Sequence, residues 1–185
     1  MSSLNDLKKD RVHTRRIFLE TFDAEDDCII VEGELLDERL FEIFHITGGK
    51  RPKGTIHHMK VRMLVGPPGF TIRDIEVEMP TIPRNECPET MESLQKVKGM
   101  TISAGFTGRI KALLGGREGC AHLTALLISM GPEAVQGYFA NKARNPIEDA
   151  TQNMKEIIVV SMKDTCHVWR EDGPYYQEMI RSLER

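Results

Sequence analysis

Two short stretches of this chain carry side chains able to do chemistry. In GCAHLTALL (119–127), Cys120 and His122 stand two apart, after the pair Gly115-Gly116 and before an apolar run. In DTCHVW (164–169), Cys166 and His167 are adjacent. Thiolate and imidazole are the ligands that zinc and iron prefer, and together they also make a nucleophile and its base. Residues two apart in mid-helix point about 200° from each other and cannot serve one site. They can do so if Cys120 sits at a helix entry, outside regular geometry, which Gly115, Gly116 and Gly119 permit. A helix N-terminus favours a thiolate, and equally a carboxylate or phosphate, because its free N–H groups and dipole are positive.

Packing offers a plainer account of the same residues. Cysteine is among the most buried residue types, and neighbours such as Cys166 and His167 face opposite ways on a strand. Cys28 heads an apolar strand and reads as core, whereas Cys87 precedes Pro88 in a Pro-rich turn of the kind that carries function. The four cysteines are far apart and form no CxxC pair, zinc ribbon or finger, so a metal site has to be assembled from distant segments. His57 and His58 open a strand and read as part of a wet face, with room for one ring to turn inward. His13, Arg15 and Arg16, in VHTRR, read as a solvated arm, with an anion clamp as the alternative. The acidic residues from Glu20 to Glu42 read as a solvated sheet face. ITGGKRPKG (46–54) is glycine-rich and basic but lacks the GxxxxGK[ST] spacing of a phosphate loop. No GxSxG, HExxH or GxGxxG occurs.

These residues need elements to hold them. MKVRMLV (59–65) and DIEVEM (74–79) alternate apolar and charged residues, the period of strands with one covered face. CIIVEGELL (28–36) and RIFLETF (16–22) add two more strands, and GPPG (66–69) is a hairpin loop. The second half reads as helices: 89–99 ending at Gly99, then 105–116, then an apolar stripe at Leu123, Leu126, Leu127 and Met130. Pro132 suits the first position of a further helix running to Lys142. IIVVSM (157–162) fits a strand or a helix end, and YYQEMIRSLER closes the chain as a helix. The fold class is α+β: an antiparallel sheet from the N-terminal half, packed by helices from the C-terminal half.

At 185 residues the simplest organisation is one domain, 1–185, with 1–12 as an N-terminal arm. A net charge of −3 creates no field to gather nucleic acid or an anionic membrane. The opening MSSLNDLKKDRVHTRRIF has no apolar signal region, no run is long enough to span a bilayer, and the expected compartment is the cytoplasm.

The succession VHTRR, VEGELLDER, IHHMKVRMLV, IRDIEVEM, ECP, GFTGRIKALLGGREGCAHLTALL and DTCHVWREDGP resembles the bacterial domain-of-unknown-function family 2889. Its most specific part is Gly105–Leu127, where the family pattern reads close to GCTHLTELL and this chain has Ala121 and Ala125 in place of Thr and Glu. The resemblance implies that Cys87, Cys120, His122, Cys166 and His167 are recurrent positions, and it supplies no activity. Three functions follow as expectations. The first is a site binding zinc, iron or an iron–sulfur centre through Cys87, Cys120, His122 and one of Cys166 or His167. The second is a metal-free enzyme acting on an acyl or thioester substrate, with Cys120 as nucleophile and His122 or His167 as base. The third is an accessory protein whose Cys and His residues only pack. Partners would be a small molecule, another protein or a second copy of the chain.

Overall fold

The computed structural model describes residues 3–144, 156, 159–160 and 162–183. The chain divides into two compact units, Met1–Lys142 and Ala143–Arg185.

In the first unit the strands are β1 (His13–Asp23), β2 (Ile29–Arg39), the short pair β3 (Ile43–Phe44) and β4 (Lys50–Arg51), β5 (Gly54–Gly66) and β6 (Thr71–Thr81). The four long strands form one antiparallel sheet in the order β1-β2-β5-β6, and β3 and β4 form a separate ribbon. Alternation sets the two faces. Ile29, Val31 and Leu35 of β2 and Met59, Val61, Met63 and Val65 of β5 are buried on the inner face. On the outer face, charges pair across strands, with Arg62 reaching Glu32 at 2.9 Å and Glu78 at 2.5 Å.

Helices cover the inner face. The helix α1 spans Phe106–Leu114, and α2 spans Ala121–Lys142 and packs on β1, β2 and β5. Leu123, Leu126, Leu127, Met130 and Ala134 recur at helical spacing along the buried side of α2. Each of the leucines and the methionine contributes about 1.5–3 kcal/mol relative to exposure. The approach is close. A Cβ on Gly33 of β2 would lie 2.8 Å from the Met130 sulfur, and one on Gly137 of α2 would lie 2.3 Å from Thr21 Oγ1.

Two local expectations are corrected. Residues 89–99 do not form an α-helix but two 3-10 segments, Cys87–Thr90 and Glu92–Val97, whose tighter turns bury Leu94 and Val97. Pro132 does not start a helix but lies inside α2. It is on the exposed side, where water can satisfy the carbonyl that loses its N–H partner.

The second unit contains the helix Pro174–Leu183, with Tyr176 buried and Trp169 edge-on to Tyr175 at 4.9 Å between ring centroids. Of the run 157–162, residues 159, 160 and 162 are helical, and the rest lie outside the described residues. No helix among the described residues is long and apolar enough to cross a membrane.

Candidate metal centre

The inner face of the sheet changes chemistry at one end. Asp37 continues the inward series Ile29, Val31, Gly33, Leu35 of β2, and His57 precedes Met59 on the inward series of β5. The register pairs Arg15 with Asp37 and Asp37 with His57, so these residues form one row across three strands. His122 joins the row from the first turn of α2.

Asp37 is 1% exposed, the only fully buried carboxylate among the described residues. Arg15 grips it at two points, Nε to Oδ1 at 2.7 Å and Nη2 to Oδ2 at 2.6 Å. His57 Nδ1 lies 3.1 Å from Oδ2, and His122 Nε2 lies 3.4 Å from the same oxygen. The two imidazoles stack, with centroids 3.8 Å apart and planes at 29°. The carboxyl group needs this company, because an unpaired buried carboxylate costs several kcal/mol. Burial pushes the Asp37 pKa up, but the hydrogen bonds and charge of Arg15, helped by His122 and His57, bring it below the ordinary carboxylate value. Burial lowers the His122 pKa, and repulsion from His57 and Arg15 lowers it further, against the pull of Asp37. His122 is therefore held toward its neutral form, the one that ligates a metal or accepts a proton.

Cys120 sits at the entry of α2, as the glycine-rich approach suggested. Its carbonyl accepts the first helical hydrogen bond, from Thr124 N–H at 2.9 Å, and its sulfur lies 3.7 Å from His122 Nδ1. The two nitrogens of His122 thus face Cys120 on one side and Asp37 on the other. Asp37, His57 and His122 can each offer one ligand atom, all within 4.8 Å of one another, and no cysteine belongs to this group.

The remaining sequence candidates are placed as follows. Cys87 begins a 3-10 segment, where its carbonyl accepts a hydrogen bond from Thr90 Oγ1 at 2.7 Å. Cys166 and His167 are exposed in the second unit, where His167 Nε2 lies 3.3 Å from Arg170 Nη1. Cys28 is buried, in keeping with its core reading. His58 points to the outer face, 2.5 Å from Glu34 Oε1, and holds the Glu34 carboxyl below its ordinary pKa. Arg16 pairs with Glu38 and His13 is exposed at the start of β1.

Sequence reasoning missed Asp37 as a member of the candidate site and offered Arg15 only in the alternative of an anion clamp. Asp37 is the exception in an otherwise wet acidic stretch, and Arg15 belongs to a strand rather than a solvated arm. The signal that could have found Asp37 is parity: one more step along the inward series of β2 from Leu35 reaches it, and one step before Met59 on β5 reaches His57.

A four-stranded antiparallel sheet, covered on one face by helices and ending in an Arg–Asp–His–His row around the buried Asp37, defines the class of this protein. The chain belongs to the family of proteins of unknown function DUF2889, whose model matches residues 13–136. That stretch contains Arg15, Asp37, His57, Cys120 and His122, and stops short of Cys166 and His167. No curated protein and no solved structure matches the chain.

Proposed function

We propose that Asp37, His57 and His122 form a mononuclear transition-metal centre with two histidine ligands and one carboxylate. The observation that carries this reading is the convergence of three donors from three separate elements, all within 4.8 Å. Tetrahedral bonds of about 2.0–2.1 Å place ligand atoms roughly 3.3–3.4 Å apart. The His57–Asp37 and His122–Asp37 separations are 3.1 and 3.4 Å. Two nitrogens and an oxygen suit zinc or ferrous iron, whereas an iron–sulfur cluster requires thiolates. Cys120 then acts as a positioning residue: its sulfur accepts the Nδ1–H of His122 and leaves Nε2 free to ligate. Three protein ligands leave a position open, at which such an ion can activate water or polarise a carbonyl. Elemental analysis of untagged protein tests the reading, with His57→Ala and His122→Ala as controls. One equivalent of zinc or iron in the wild type, lost from both variants, is the expected result.

A second reading is favoured by the chain of contacts Cys120 Sγ, His122 Nδ1, His122 Nε2 and Asp37 Oδ2, at 3.7 Å and 3.4 Å. This is the order of a nucleophile, its base and the group that orients the base. In that reading His122 takes the thiol proton of Cys120, and the thiolate attacks an acyl or thioester carbonyl. Metal-free protein with a reactive Cys120 would favour it over the metal centre.

A further inference from the structure

A cleft of about 490 Å³ opens beside the centre, and His57 lines both. Its walls come from the end of β2, the β3–β4 ribbon, the start of β5 and the residues after β6. Arg39, Arg51, Lys53 and Arg84 line it, and no aspartate or glutamate does. None of these four cations is ion-paired with a carboxylate among the described residues. Arg39 instead donates to the Pro52 carbonyl at 3.2 Å, and Arg84 to the Pro83 carbonyl at 2.9 Å. On the outer face of the sheet, by contrast, basic side chains such as Arg62 are matched by acids, and the net charge of the chain is −3. Unmatched cations gathered in a concave wall focus a positive potential there.

We propose that this cleft binds a phosphorylated small molecule carrying at least two negative charges and presents its uncharged end to His57. The charge count selects the class: one carboxylate would satisfy one arginine fork, whereas four cations match a diphosphate or a comparable polyanion. Ile56 and Ile82 supply apolar wall for the body of the ligand. The glycine-rich stretch 46–54 contributes through side chains, not as a phosphate loop. It builds the turn of the ribbon, closed by His45 N–H to the Gly49 carbonyl at 2.9 Å, and so projects Arg51 and Lys53 into the cleft wall. That the bound molecule is the substrate rests on the reading of the neighbouring centre; the anion site itself does not.

The test is calorimetric titration of the full chain with inorganic pyrophosphate, ADP and, as a carboxylate polyanion, citrate. Pyrophosphate and ADP are expected to bind, and Arg51→Gln and Arg84→Gln each to weaken them about tenfold. Both side chains are exposed, so these variants are expected to fold. His122→Ala removes a proposed metal ligand that does not line the cleft, and it is expected to keep ADP binding while losing metal. Failure of both phosphates to bind overturns the proposal, as does an affinity unchanged in the arginine variants. Citrate binding as tightly as pyrophosphate overturns the phosphate class, and loss of ADP binding in His122→Ala shows that the anion sits on a metal instead. A wild type that purifies without metal yet binds pyrophosphate through Arg51 and Arg84 supports the cleft and removes only the metal reading.

Discussion

Arg15 and Asp37, paired across β1 and β2, form a two-point ion pair, with N–O distances of 2.7 and 2.6 Å, at the end of an otherwise apolar face. The carboxylate is only 2% exposed, whereas the guanidinium side chain is 44% exposed. Removing one partner of a fully buried pair costs about 3–5 kcal/mol, and exposed pairs are worth about 0–1. Arg15→Ala is therefore expected to destabilise the fold by about 1–3 kcal/mol, read by urea unfolding. An unchanged midpoint would mean that His57 and His122 alone sustain the Asp37 charge.

The two depressed pKa values of the site predict a direction for pH dependence. Between the folded pKa of His122 and the ordinary histidine value of about 6.5, the unfolded chain binds a proton that the folded chain does not. Stability from His122 is therefore complete above that window and declines as pH falls through it. The contribution of Asp37 is complete above about pH 3.9 and is lost in stronger acid. Metal-free protein should melt at a lower temperature at about pH 5.5 than at about pH 7.5, and His122→Gln should reduce that difference. An equal difference in the variant would show that His122 titrates normally.

Cys120 discriminates the two readings of the site. If His122 is its base, His122→Gln should slow alkylation of Cys120 by about tenfold or more, followed peptide by peptide. Exposed Cys166 serves as the internal reference, and its rate should not change. A Cys120 rate unaffected by His122→Gln removes the thiol reading.

Gly137 tests the packing that holds α2, and with it His122, on the sheet. Alanine has the better helix propensity by about 1 kcal/mol. Its Cβ would nevertheless lie 2.3–2.4 Å from three atoms of Thr21, and Thr21 is tied to Glu133 by a 2.8 Å hydrogen bond. The clash should dominate, so Gly137→Ala is expected to destabilise by about 1–3 kcal/mol. Stabilisation would mean that α2 stands further from β1.

The architecture was legible because alternation is strong where strands are apolar on one side. Met59 to Val65 and Ile75 to Met79 announced two strands and their inward faces. The site was less legible because it lies where that signal fades. Expected strand limits of 16 and 36 stop just short of Arg15 and Asp37, since polar residues on the inner parity look like the end of a strand, and His57 was placed at a strand opening read mainly as a wet face. Only the register across three strands shows that these ends coincide. Cys120 and His122 were found by type and spacing, and the helix entry that lets them meet was inferred from Gly115, Gly116 and Gly119. Pro132 misled because a proline at a helix start and one on the exposed side of a longer helix look alike in sequence.

The most direct measurement is the metal content of freshly purified, untagged protein, combined with its melting temperature before and after chelation. The metal account predicts about one equivalent of zinc or iron per chain and a lower melting temperature once it is removed. Both effects should vanish in His57→Ala, which removes a donor 3.1 Å from Asp37, and persist in Cys166→Ser, whose thiol is outside the proposed ligand set. Wild-type protein that carries no metal, takes up none from zinc or ferrous salts, and melts at the same temperature with chelator would contradict the account.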